Sequence, residues 1–105
     1  IISGDLGHIG KDIAIDLALS KGYNIKNNYN DCGVLMFDKQ NQDTHSGGSG
    51  CACLGTIFSG YFFKQLKEKK IQKLLMIATG ALMNSTSSQQ GESIPGIAHA
   101  VAIEI

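Results

Sequence analysis

The sequence predicts an α/β domain with a mixed sheet whose last two strands are antiparallel. Three observations predict it. Apolar residues recur at helical spacing over two stretches. They alternate strictly over a third, at the C-terminal end. The last two strand candidates are joined by a Ser/Gln/Gly-rich connection with no helical period, so they follow each other directly and pair antiparallel.

Ile1 to Ser3 reads as the end of a strand and Gly4-Asp5-Leu6-Gly7 as a turn. Ile9, Ile13 and Leu17, with Leu6 just ahead and Ala14 and Ala18 alongside, share one face of a helix expected near 8–21. Lys21-Gly22 closes it, with a cation at the negative end of the dipole and a glycine free to take a left-handed cap. Asn24 to Asn30 is a loop. The short apolar run Cys32 to Phe37 reads as a strand, and Asp38 to Asp43 as a polar, irregular lead into the glycine-rich segment His45 to Gly50.

A second helix is expected near 49–69, on the stripe Leu54, Ile57, Phe58, Tyr61, Phe62 and Leu66. Lysines crowd its last turns, where the dipole favours them. Gly55 and Gly60 inside it cost about 1 kcal/mol each relative to alanine, which implies another backbone packed closely on that face. Tyr61, Phe62 and Phe63 read as core and packing surface. Leu74 to Ala78 reads as a strand buried on both sides and ended by Thr79-Gly80. Ala81 to Pro95 is the connection. In Ile97 to Ile105 one face carries Ile97, His99, Val101, Ile103 and Ile105, the other Ala98, Ala100 and Ala102. The alanine face admits a close second layer, and His99 reads as a core histidine.

Composition excludes several classes. The 105 residues suffice for one small core. Nine basic and nine acidic residues cancel, and every basic residue is lysine, so nucleic acid is not an expected partner. A hydrophobic content of 43% against 17% charge fits a packed domain rather than a disordered chain. No apolar run approaches the ~20 residues of a membrane span. Three cysteines cannot all pair, and Cys51 and Cys53 lack zinc-site spacing. Buried free thiols in a reducing compartment are expected, with a reactive Cys51 at a helix start as the alternative. No cofactor and no metal are expected. The opening on Ile1-Ile2, without Met, sets the expectation of a fragment.

The chemistry concentrates in Thr44-His45-Ser46-Gly47-Gly48-Ser49-Gly50-Cys51. A glycine-rich loop opening a helix turns backbone N–H groups and a positive dipole end toward an anionic or carbonyl ligand. His45 adds a group that titrates near neutral pH, with a backbone-satisfied loop histidine as the alternative reading. Ser3-Gly4-Asp5-Leu6-Gly7-His8-Ile9-Gly10 copies the glycine pattern of a dinucleotide-binding turn. The acid-ended second strand that should follow is absent, so a Rossmann nucleotide-binding domain is a distant alternative.

His45-x-x-Gly48-Ser49-Gly50 entering a long helix resembles an element of the thiolase and ketoacyl-synthase superfamily. The strings SGDLG, NDCGVLMFD, NQDTHSGGSGCAC, ATGAL and SIPGIAHAVAIE further resemble, in order, the stage V sporulation protein AD family of spore-forming bacteria. The resemblance implies that residues 1–105 are the C-terminal half of a thiolase-like fold, with the N-terminal half absent. It implies a role in uptake of dipicolinic acid into the developing spore, at the inner membrane, beside other membrane proteins of the stage V sporulation A operon. It also implies a homodimer, as is usual in the superfamily.

Active condensing enzymes of that superfamily carry a histidine just after the first strand of this half, where this chain has Ser3, Gly4 and Asp5. The second polar position matches His45. Losing one donor to an oxyanion removes roughly 3 kcal/mol of stabilisation, which weighs against turnover and leaves a binding pocket. The ligand-binding residues expected on this basis are Ser3, Gly4, Asp5, His45, Ser46, Gly47, Gly48, Ser49, Thr79 and Gly80, with no catalytic residue. A surviving acyltransferase of the same fold is the alternative.

Overall fold

The computed structural model describes residues 1–2, 7–44, 52–81 and 85–105. Helix α1 spans Gly7–Ser20, α2 Cys32–Met36, α3 Cys53–Ile57 and α4 Phe63–Lys67, with a π-helical turn, Phe58–Phe62, joining α3 to α4. Strand β1 is Lys73–Ala81, α5 is Ser85–Gln89 and β2 is Gly96–Glu104. This is an α/β arrangement, and its two strands are antiparallel as expected.

The ladder runs from Lys73 opposite Glu104 to Ala81 opposite Gly96. Leu74, Met76, Val101 and Ile103 therefore share one face, and Leu75, Ile77 and the three alanines share the other. On the far side of β1, Ile2 bridges both Ile77 and Asp31 in parallel, which brings Ile1-Ile2 between β1 and the start of α2. The Ile77 N–H donates to the Ile1 carbonyl at 2.8 Å and the Cys32 N–H to the Ile2 carbonyl at 3.0 Å.

Residues 32–36 form a helix, not the expected strand. A short apolar run is ambiguous between the two, and the Asp31 cap decides it. The Asp31 side chain accepts from the Val34 N–H at 3.0 Å and its carbonyl from the Leu35 N–H at 3.0 Å. Strand pairing to Ile2 thus stops at Asp31, and the chain turns at once into a capped helix.

The core gathers Ile1, Cys32, Cys53, Phe62, Leu66 and Leu74, with Leu35, Ile57, Phe58, Met76 and Ile103 packed around it. Along the α3–α4 segment the inward residues Cys53, Ile57, Phe62 and Leu66 are spaced four, five and four. The wider π turn, closed by the Phe63 N–H on the Phe58 carbonyl, absorbs the extra residue and keeps Phe62 on the core side. Among the described residues the expected backbone does not pack on Gly55 or Gly60, since a Cβ at either would meet nothing within 4 Å. Of the aromatic trio only Phe62 is buried, with Tyr61 edge-on to it at 5.0 Å and Phe63 exposed.

Other expectations change in the same direction. β1 is not buried on both sides as expected: Leu74 is in the core, while on the opposite face Leu75 is 51% exposed and Ile77 half-buried. The strand continues through Thr79 and Gly80, which pair with Ala98 and Ile97, instead of ending there. His99 is exposed. The stripe Ile9, Ile13 and Leu17 lies on α1 as expected, and all three residues are exposed.

Two helices end on the same turn. At α1 the Tyr23 N–H returns to the Ala18 carbonyl at 2.9 Å and the Gly22 N–H to that of Leu19 at 3.0 Å. At α4 the Lys70 N–H returns to the Gln65 carbonyl at 2.9 Å and the Lys69 N–H to that of Leu66 at 3.0 Å. The residue in the left-handed position is Gly22 (φ +89°) in the first and Lys69 (φ +58°) in the second. A side chain there costs about 1 kcal/mol or more relative to glycine.

Candidate functional site

The cleft that concerns function lies between the start of α1 and the segment after α2, with a volume of about 360 Å³. One wall is Gly7 and His8, another Gly33, Val34 and Phe37, and the rim is Lys39 to Thr44. Gly7 is buried with φ +55°, a conformation in which a side chain would be strained, so glycine here lets α1 begin against the wall. Gly33 and Val34 reach the cleft because α2 is a helix capped by Asp31.

The rim is organised by Asp38. Its carboxylate accepts from the Gln40 N–H at 2.9 Å and from the Asn41 side-chain amide, while its own N–H donates to the Gln42 side chain at 2.8 Å. The Gln42 N–H also donates to the Asp38 carbonyl at 2.8 Å. The Asn41 amide, seconded by the Gln40 N–H, holds the Asp38 carboxyl below the usual carboxylate range. This turn holds Lys39 on the cleft, and Lys39 and His8 are the nitrogen-bearing side chains there that can carry positive charge.

Most of the expected site residues, Ser3, Gly4, Asp5, His45, Ser46, Gly47, Gly48 and Ser49, lie outside the described residues, as does Cys51. The described residues that adjoin them share the cleft: Gly7 and His8 follow the first segment, and Asp43 and Thr44 precede the second. Thr79 and Gly80 are in the β1–β2 ladder and are not in the described lining. Sequence reasoning missed Lys39. A single lysine in a polar segment has no spacing to mark it; its signal was only its place just ahead of the glycine-rich loop.

The described thiols sit elsewhere, in the core. Cys32 and Cys53 are both buried. Burial, with the neighbouring Cys53 and Asp31, pushes the Cys32 thiol up to about 11. Burial also pushes the nearby Tyr29 phenol up to about 12. A thiol that keeps its proton at neutral pH is a poor nucleophile. Among the described residues no group of three or more His, Cys, Asp or Glu side chains could hold a metal ion. Among them, too, no helix is long and apolar enough to cross a membrane.

These features define an α/β unit with an open polar cleft, whose lining adjoins a glycine-rich segment in the chain, and with a buried Cys32 thiol that keeps its proton. The model of one protein family, described as Stage V sporulation protein AD, matches residues 1–104. The chain is also 41% identical over 104 residues to the Stage V sporulation protein AD of Bacillus subtilis (strain 168), an alignment covering 99% of this chain and 30% of that relative. The chain belongs to the stage V sporulation protein AD family and is a sporulation protein. It spans under a third of the length of the curated relative it matches.

Proposed function

We propose that the protein is a non-catalytic, thiolase-fold protein that binds dipicolinic acid and supports its uptake into the developing spore. On this reading it works at the periphery of the inner forespore membrane, beside membrane proteins of the stage V sporulation A operon, as a homodimer. Residues 1–105, under a third of the relative's length, are a C-terminal part of its thiolase-like fold on this reading. The observation that carries the reading is the match to the sporulation family across nearly the whole chain.

The cleft chemistry supports it. A pyridine dicarboxylate presents two carboxylates and a flat apolar ring. Lys39 and His8 offer donors to a carboxylate, and Val34 and Phe37 offer apolar surface to the ring. The proposed ligand residues His45 to Ser49 and Ser3 to Asp5 adjoin this lining in the chain. The absence of a histidine at 3–5 argues against condensation chemistry.

Calorimetry on the full-length protein, with dipicolinate and acetyl-CoA as titrants, tests this. Dipicolinate is expected to bind and acetyl-CoA not to, with no steady-state condensation of acetyl-CoA. Binding of acetyl-CoA alone, or measurable turnover, would replace this reading with that of an acyltransferase of the same fold.

A further inference from the structure

A second concavity shares no lining residue with the cleft. It is a groove of about 350 Å³ between the end of α4 and the end of β2. Its floor is apolar: Phe58, Phe63 and Leu66 from the helical segment, Ile103 and Ile105 from the strand end. Within this chain Phe63 and Ile105 are 55% and 60% exposed. Lys67 and Lys69 form the rim.

The charges around it are unbalanced. Five of the chain's nine lysines fall between positions 64 and 73. Glu68 pairs with Lys70 at 3.0 Å and Glu104 with Lys73 at 3.4 Å. Lys64, Lys67 and Lys69 have no carboxylate within ion-pair distance among the described residues. Lys69 is in addition held in the left-handed conformation that α1 gives to a glycine in the same turn. A side chain kept where the backbone disfavours one points to a use for that side chain.

The geometry points to a docking groove for an acidic, apolar peptide segment of another protein: large apolar side chains seated on Phe63, Leu66 and Ile103, and flanking Asp or Glu carboxylates paired with Lys67 and Lys69. Concavity favours a peptide over a lipid surface. A slot between a helix end and a strand end receives inserted side chains, whereas a bilayer receives side chains that project. The inference stands independently of the dicarboxylate reading, because the groove shares no residue with the cleft.

The test is selection of phage-displayed random 15-residue peptides on the full-length protein, followed by fluorescence anisotropy with the enriched sequences synthesised. Enriched peptides are expected to combine aromatic or branched apolar residues with Asp and Glu. Their affinity should fall about 10-fold in Lys67→Gln/Lys69→Gln and weaken with added salt. Lys69→Gly separates recognition from folding: it should raise the melting temperature and still weaken the peptides. No enrichment of acidic sequences, or peptides indifferent to both variants, would overturn the proposal. So would cosedimentation with phosphatidylglycerol vesicles, lost in the double variant, without any peptide binding.

Discussion

Helices α1 and α4 leave through the same hydrogen-bonded turn, one on Gly22 and the other on Lys69. At Gly22 the backbone is relaxed, and the residue does nothing but end the helix. At Lys69 the same conformation is strained, and the side chain stands on the rim of an open apolar groove among unpaired lysines. The difference teaches where this chain gives up stability. The surroundings of Asp31, Cys32 and Cys53 are closed and fully buried. The α4–β2 end leaves Phe63, Ile105 and a strained cation exposed. One region is closed within this chain, and the other presents apolar and cationic surface.

The largest expected effect tests the closed region. The Cys32 thiol is raised from 9.0 to about 11 in the folded state. Between those values the unfolded chain has released a proton that the folded chain retains. The stabilisation is therefore full below pH 9 and lost as the pH rises through that window, by about 2–3 kcal/mol in total. Urea denaturation at pH 8, 9 and 10 should show wild type losing stability more steeply than Cys32→Ala. Parallel slopes would mean that the core thiol is not closed off from water.

The next effects test the two helix ends directly. Gly22→Ala should destabilise by about 1 kcal/mol, purely through φ, since a Cβ there meets nothing within 4 Å. Lys69→Gly should do the opposite, by up to about 1 kcal/mol. Thermal denaturation with the same sign for both substitutions would break the comparison. The smallest effect is a control: Gly55→Ala, in right-handed helix with open space for the methyl, should stabilise by about 0.5–1 kcal/mol.

The comparison also explains what the sequence disclosed. Strict alternation over Ile97 to Ile105 gave β2 its faces, and the spacing of Ile9, Ile13 and Leu17 gave α1, because each pattern is long enough to have one period. Cys32 to Phe37 is too short for that, and the outcome turned on the Asp31 carboxylate reaching the Val34 N–H. The five-residue step from Ile57 to Phe62 was hidden in the sequence by Phe58 and Tyr61, which complete an ordinary helical stripe, and only burial singles it out. The burial of Leu75 was overestimated because a continuous apolar run says nothing about which face has a neighbour. His45 stood out by its glycines. Lys39 and Lys69 did not, since what distinguishes them is a side-chain-built turn and a backbone angle.

The central claim is that the cleft lined by His8, Val34, Phe37 and Lys39 binds a dicarboxylate, and calorimetric titration of dipicolinate into three variants of the full-length protein tests it most directly. Lys39→Ala and His45→Ala should each weaken binding about 10-fold or more, the worth of one charge-assisted hydrogen bond. Lys69→Ala, at the separate groove, should leave it unchanged. Wild-type affinity in both cleft variants, with the fold intact, or no dipicolinate binding by wild type, would contradict the account.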